Sequence, residues 1–469
     1  MRKGIEDVYR LSPLQEGLLF HALYDTEVGA YQLQDYCTMS NLDAALFVRA
    51  WQQVVDRHPV LRTAFVWKNV TNPVQIVGRQ VQMPALLEDW RGITPQEQEA
   101  RLRVYLHEDR VQGFKLSKAP LMRIALFRIG EETYKFVWSH HHLLLDGWSR
   151  NLMLREVFAF YEVFREGRNM TLPPRPPFKN YIQWLQEQDL AAAADFWRQA
   201  LKGISAPNGG KFRDLTSGQS CGDGHGERRL RLNEETTDRI RALARSNQLT
   251  LNTLAQGAWA LLLSSVGGIE DVVFGITVSG RPAELPGIET MIGMFINTLP
   301  VRITIRPEAR LISWLHELQR YNAELRQFEY TPLVQIHKWS ELPRGKPLFE
   351  TLFVFENQPG GGDEDKPSSI RVSDVSGSEW NNFPLTLVVA PGKSLSAQIF
   401  HDRQRLQSES AARLLEVFGR ILTEIADDPT RQLDELLNSL DEPPDLTESY
   451  PKDELEQFSF HTALLHESE

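Results

Sequence analysis

Ser139-His140-His141-His142-Leu143-Leu144-Leu145-Asp146-Gly147-Trp148-Ser149 sets three adjacent histidines at the end of an apolar run, Phe136-Val137-Trp138. A carboxylate follows the last histidine by four residues, and a glycine comes next. Imidazole is the side chain best suited to moving a proton near neutral pH. A carboxylate at a glycine turn predicts a fixed loop with charge built into its base. Upstream, Leu121 to Ile129 and Thr133 to Ser139 read as two strands joined by a short turn at Gly130-Glu131-Glu132. Downstream, Arg150 to Glu166 reads as a helix with Leu154, Val157, Phe158 and Tyr161 on one face.

Further out, Asp43 to Asp56 has Phe47, Ala50, Trp51, Val54 and Val55 at helical spacing, and Pro59 predicts a stop near His58. Val60 to Val66 reads as a strand. Thr171-Leu172-Pro173-Pro174-Arg175-Pro176-Pro177 cannot be helix and is the expected boundary between two halves. Beyond it, Tyr181 to Lys202 reads as helix, Gly203 to Glu227 as an exposed loop, and Asn233 to Gly267 as mostly helix. Asp271 to Ser279 and Phe295 to Ile305 read as strands, with Gly280 to Met294 a proline-containing loop between them. Phe349 to Phe355, Leu385 to Ala390 and Ser396 to Phe400 are further strands, and Ser408 to Ala426 an amphipathic helix. Pro359 to Asp365 reads as a flexible excursion and Asp441 to Glu469 as an acidic linker or tail. Strands and helices mix in both halves, which predicts an α/β protein of two lobes.

The 469 residues are 42% hydrophobic and 24% charged, which suits a globular protein with a sizeable core. A net charge of −11 disfavours nucleic acid as a partner, because phosphate binding needs basic surface. Cys37 and Cys221 give neither a metal-ligand spacing nor a disulfide framework. No secretion signal or membrane span is read, so a cytoplasmic protein without a metal is expected.

The run from His141 to Gly147 resembles the H-H-x-x-x-D-G motif of the condensation domains of nonribosomal peptide synthetases. That superfamily shares its fold and histidine motif with chloramphenicol acetyltransferase. Other stretches match the family in order. Leu11-Ser12-Pro13-Leu14-Gln15-Glu16-Gly17-Leu18-Leu19-Phe20-His21 is similar to its opening motif, and Arg57 to Phe65 to its second, with Pro59 where the family has glutamate. Tyr181-Ile182-Gln183-Trp184 and Ile292 to Arg302 resemble two later motifs. Glu329-Tyr330-Thr331-Pro332-Leu333 departs from its counterpart, and Pro347 to Asn357 is a loose match.

The resemblance implies an α/β fold of two chloramphenicol acetyltransferase-like lobes in a V-shaped pseudodimer, with an active-site tunnel between them. It places the N-terminal lobe at 1–170, an inter-lobe linker at 171–180 and the C-terminal lobe at 181–440. Gly280 to Met294 would be a floor loop and Gln358 to Glu379 a latch. The implied reaction joins a donor acyl or peptidyl thioester to the amine of an acceptor aminoacyl thioester. Both ride on 4'-phosphopantetheine arms of carrier proteins, with no intrinsic cofactor. An adjacent adenylation domain is a further implied partner, reached through 441–469. The start at the opening motif suggests an excised module piece or a chain-opening domain.

In this register His142 is the catalytic imidazole, as general base or amine-orienting group, and the Gly147 amide a candidate oxyanion donor. His141, Asp146 and Arg62 are structural, with Arg62 as the implied ion-pair partner of Asp146. Trp148, Ser149, Gly293, Asn297 and Thr298 are candidates for the tunnel wall. His140 lies outside the pattern and is expected to face outward. Heterocyclisation domains carry aspartates in place of these histidines. Epimerisation, acyl transfer from free coenzyme A and non-catalytic recruitment of a partner are the alternatives.

Overall fold

The computed structural model describes residues 4–24, 31–168, 170–204, 224–343, 345–356, 369–378 and 383–440. The first half runs β1 (Ile5–Arg10), α1 (Pro13–Tyr24), β2 (Gln32–Ser40), α2 (Ala44–Arg57), β3 (Thr63–Val66), β4 (Val74–Gly78), β5 (Ala85–Asp89), α3 (Pro95–Gln112), β6 (Met122–Arg128), β7 (Thr133–His141) and α4 (Gly147–Arg165). After the proline-rich connector come α5 (Phe178–Gln186), α6 (Leu190–Ala200), β8 (His225–Arg231), α7 (Glu234–Ser246), α8 (Leu251–Gly267), β9 (Asp271–Val278) and β10 (Asn297–Thr304). The chain continues with α9 (Leu311–Arg326), α10 (Leu333–Trp339), β11 (Thr351–Phe355), β12 (Arg371–Ser378), β13 (Leu385–Ala390), β14 (Ser396–Asp402), α11 (Ser408–Asp427) and α12 (Leu433–Leu440).

The strands form three sheets, ordered β12-β2-β7-β6-β5, β10-β9-β11-β13-β14-β8 and β1-β4-β3. β7 is central in the first and buried on both faces from Phe136 onward, which is why Phe136-Val137-Trp138 is apolar without alternation. Phe136 and Trp138 point toward α2, where their rings lie 5.3 Å from Phe47 and 5.1 Å from Trp51. Val137 faces the other way, into a cluster with Trp90 and Phe127. Ser139 on that second face donates to the buried Asp109 of α3 (2.6 Å), which also accepts from Gln32 (2.8 Å) and Gln34 (2.7 Å) of β2 and from Arg123 of β6. One carboxylate thus binds three neighbouring strands at the end that carries the histidines.

α2 starts where Asp43 accepts from the Ala45 and Leu46 amides (2.9 and 3.0 Å) and stops before Pro59. Three expected elements differ in detail. Pro59–Arg62 is a tight 3₁₀ turn, so the strand there begins only at Thr63. The helix expected over 181–202 is two helices, because Asp189 caps a new one through the Ala191 amide (2.8 Å). The helix expected over 233–267 breaks at Gln248, which has a φ of 55°, and restarts where the Thr250 hydroxyl accepts from the Thr253 amide (3.1 Å). Most of the 203–227 stretch, and all of the 359–365 and 441–469 stretches, lie outside the described residues; the described end of the first, His225 to Glu227, is not loop but the start of β8, paired with β14.

The second half reaches into the first in three places. β12, within the stretch read as a latch, pairs antiparallel with β2 as the edge of the five-stranded sheet. Phe178, Tyr181 and Ile182 of α5 bury in the first-half core, and so do Ile288, Met291, Ile292, Met294 and Phe295. Among the described residues, no helix is long and apolar enough to cross a membrane.

Candidate active site

The three histidines occupy three different environments. His140 shares the β7 face of Phe136 and Trp138 and is fully buried, with its ring stacked on Trp138 at 4.2 Å. The outward position expected for it is therefore wrong: strand alternation carries it inward. Burial, and then the neighbouring Arg150 guanidinium, hold its imidazole well below the usual range, so it is neutral. Arg150 is itself paired with Asp35 at 2.8 Å.

His141 is also buried, and its Nδ1 accepts from the Leu143 amide (3.2 Å), which puts its ring proton on Nε2. Burial, with His142 adding to it, pushes this ring down to about 3. His142 alone of the three keeps partial exposure. Its amide donates to the Tyr31 carbonyl (2.8 Å), and its Nδ1 lies 3.1 Å from the Leu145 carbonyl oxygen. A carbonyl only accepts, so Nδ1 carries the proton. The lone pair of the neutral ring then sits on Nε2.

The loop after His142 is tied down from both sides. Leu143, Leu144 and Leu145 are completely buried, and Gln15 of the opening motif donates to the Leu143 carbonyl (2.8 Å). Asp146 is the N-cap of α4, where it accepts from the Ser149 amide (2.7 Å). Its other oxygen accepts from the Phe295 amide (3.1 Å), and its own amide donates to the Gly293 carbonyl (3.1 Å). Gly147 begins α4 without a left-handed backbone, so the turn there does not itself require a glycine.

The guanidinium that meets Asp146 is Arg281, at 3.4 Å, and not Arg62. Arg62 is engaged elsewhere: it pairs with Glu6 (2.6 Å) and donates to the carbonyls of Val55 (3.2 Å) and Gly78. Arg281 also donates to Ser149 (2.9 Å) and packs its guanidinium 4.0 Å over the Phe295 ring. Gly280 before it has a φ of 60°, and a Cβ there would meet the Phe295 carbonyl oxygen at 1.8 Å.

Several candidate wall residues are braces. The Ser149 hydroxyl donates to the Gly293 carbonyl (2.8 Å) and accepts from the Gly293 amide (3.0 Å). Gly293 lies against Phe178, whose ring a Cβ would meet at 2.2 Å. Asn297 donates to the Glu329 and Thr331 carbonyls (2.9 and 2.8 Å) and accepts from the Thr298 amide (2.9 Å). Thr298 pairs with Thr277 across β9. Trp148 is half-buried, and its indole donates to the Glu289 carbonyl (3.0 Å). Arg281 and Gln15 had no assigned role in the sequence. Gln15 lies inside the stretch similar to the family's opening motif, whereas nothing in sequence spacing singles out Arg281.

The site is thus a partly exposed imidazole at a strand-to-helix junction, held by two segments remote in sequence. A family model described as Condensation domain matches residues 5–443. The chain belongs to the condensation-domain family. One linear gramicidin synthase polypeptide of Brevibacillus parabrevis is 45% identical over 436 residues, covering 92% of this chain and 6% of that protein. Surfactin synthase subunit 3 of Bacillus subtilis (strain 168) is 32% identical over 425 residues, covering 90% of this chain and 33% of that protein. The chain therefore spans only a small part of these relatives. Among solved structures, the condensation domain from Monacolin K polyketide synthase MokA matches with a TM-score of 0.76 at 18% identity, over 92% of this chain and 100% of that one. The X-domain from teicoplanin biosynthesis matches with a TM-score of 0.77 at 24% identity, over 90% of this chain and 96% of that one. The fold is the two-lobed chloramphenicol acetyltransferase-like fold of condensation domains.

Two outcomes follow from the geometry. Asp146→Ala leaves Arg281 buried without its partner and removes a helix cap, so it lowers stability by about 3–5 kcal/mol. Thermal unfolding reads this directly; an unshifted melting point would show that the carboxylate does not hold the loop. The second concerns acid. Folded His141 titrates near 3 against an ordinary 6.5, so the folded state keeps its ring neutral. Its contribution is complete above 6.5 and is lost as the pH falls toward 3. Urea titrations of His141→Asn across that window are expected to show a shallower loss of stability than the parent, and an equal slope would refute the assignment.

Proposed function

We propose that this chain joins two carrier-bound substrates by an amide bond. The amine of an acceptor aminoacyl thioester attacks the carbonyl of a donor acyl or peptidyl thioester. A C–N bond forms, the C–S bond breaks, and the amine proton passes through His142 to the departing phosphopantetheine thiolate. The observation that carries this reading is the partial exposure of His142 beside two buried, neutral histidines, with its Nδ1 proton engaged by Leu145. The Nε2 lone pair then accepts the proton of a neutral amine, or fixes that amine by a hydrogen bond. General base action contributes roughly 100- to 10,000-fold, and a thioester needs little further activation once the two arms are aligned.

The Gly147 amide, at the positive end of α4, is the proposed donor to the oxyanion of the tetrahedral adduct. Asp146 and Arg281 keep the loop in place and take no proton. Residues 1–170 and 181–440 are assigned to the two lobes, 171–180 to their connector and 441–469 to a tail leading toward an adenylation domain, with the reaction in a tunnel between the lobes. Relatives such as the linear gramicidin synthase of Brevibacillus parabrevis, in which this chain matches 6% of the length, support a role as one part of such an assembly.

α1, which holds the histidine loop through Gln15, packs against α10, and the two leave Phe20, Leu23 and Val334 exposed. Phe20 and Val334 are 58% and 61% exposed, on two helices that pack together. We propose that one carrier protein docks on this surface.

A second reading is recruitment of a partner without chemistry. It is motivated by the X-domain, which shares the fold and has been solved in a complex with OxyB. An assay in trans with two loaded carriers separates the readings. Dipeptide formation is expected, together with a loss of roughly 100- to 10,000-fold in His142→Ala at an unchanged melting point. Scrambled stereochemistry on a single loaded carrier would point to epimerisation instead, and no turnover at all to recruitment. In the same assay Phe20→Asp and Val334→Asp are expected to raise the KM for one carrier about tenfold; unchanged KM values for both carriers would remove the docking assignment.

A further inference from the structure

The segment that supports Asp146 is held at a second point of α4. The backbone makes a tight turn at Ile288–Thr290, and four successive carbonyls around it each accept a side-chain donor. Arg281 donates to those of Ile288 (2.5 Å) and Met291 (3.1 Å), Trp148 to that of Glu289 (3.0 Å) and Arg175 to that of Thr290 (3.0 Å). Arg281 leads back to Asp146 at the start of α4. Arg175 leads to Glu156, ten residues further along the same helix, at 2.6 Å. That separation is about 15 Å along the axis.

Glu156 is 3% exposed and collects three donors: Arg175 from the connector, Arg57 (3.1 Å) and His58 (2.5 Å) from the end of α2. Burial alone would raise its carboxyl, but the hydrogen bonds from His58 and Arg175 outweigh that and bring it down to about 2. It is therefore a permanent anion at working pH. Arg57 uses its remaining donors on the carbonyls of Leu172 (3.1 Å) and Pro173 in the connector.

Packing around the clasp is incomplete. A cavity of about 120 Å³ opens between Arg57, His58, Arg175 and Ile292, and one of about 410 Å³ between Glu156, Leu172, Arg175 and Thr290. Close-packed side chains fix most of the core to fractions of an ångström. The turn itself is anchored by the buried Ile288, Met291 and Ile292, whereas Arg175 lines both hollows and holds the turn through directed hydrogen bonds.

We propose that Arg175, held by Glu156, is a positioning residue that sets the 281–295 segment against the histidine loop. It acts without touching substrate. Resting on the condensation reading, its effect on turnover runs through Thr290 to the Gly293 and Phe295 backbone, which binds Ser149 and Asp146.

Arg175→Met is the variant of choice, because Glu156 keeps Arg57 and His58 as donors and stays neutralised. Hydrogen exchange measured on the full chain is expected to accelerate about tenfold at the Gly293 and Phe295 amides while β7 and β13 keep their protection. Turnover with two loaded carriers is expected to drop about tenfold in kcat with KM values little changed. Arg175→Lys, which keeps one donor, is expected to recover part of both. Unaltered exchange across 281–295, faster exchange there with an unaltered kcat, or protection lost throughout the chain would each overturn the proposal. Absence of condensation by the parent protein would sink the functional reading and leave the exchange result to stand on its own.

Discussion

The Asp146 carboxylate is the group on which the site depends. It is fully buried and must have its lone pairs satisfied, and the partners it accepts from belong to the helix start (Ser149 amide), to Phe295 and to Arg281. Satisfying that one anion fixes where α4 begins, where 281–295 lies, and hence where His142 points. The short spacing from imidazole to carboxylate has a reason in this geometry. The intervening Leu143, Leu144 and Leu145 fill the core beneath the loop, so both ends of it are anchored. On the proposed reading the carboxylate's role is mechanical, and the chemistry is left to the ring it positions.

Three adjacent imidazoles would repel one another if all were charged. Burial removes that conflict by keeping His140 and His141 neutral through the physiological range. Their hydrogen bonds differ too. The Leu143 amide donates to His141 Nδ1, and the Leu145 carbonyl accepts from His142 Nδ1, so neighbouring rings carry opposite tautomers. A backbone that turns between strand and helix supplies one donor and one acceptor within three residues, and this is what distinguishes the two motif histidines.

Much of this was legible in the sequence. The apolar spacing of α2 with its proline stop, the β6–β7 hairpin and the helix after the motif follow from periodicity and turn chemistry. The α5/α6 and α7/α8 breaks were hidden because the capping residues, Asp189 and Thr250, interrupt apolar patterns that otherwise continue. β2 escaped notice because Gln32 and Gln34 point inward, where Asp109, the Leu106 carbonyl and Arg110 supply hydrogen-bond partners that the strand's own sequence does not reveal. The fate of His140 could have been read from alternation with Phe136 and Trp138. The choice of Arg281 over Arg62 could not, since both are arginines remote from Asp146 and only the folded chain decides which one arrives.

The tautomer of His142 is the most direct test of the account. Nitrogen-15 NMR of histidine-labelled protein near neutral pH distinguishes a ring nitrogen that carries a proton from one that carries a lone pair. For the neutral ring of His142 the account predicts the proton on Nδ1 and the lone pair on Nε2, with the reverse for His141. A His142 ring with its proton on Nε2 would leave no acceptor for the incoming amine and would contradict it.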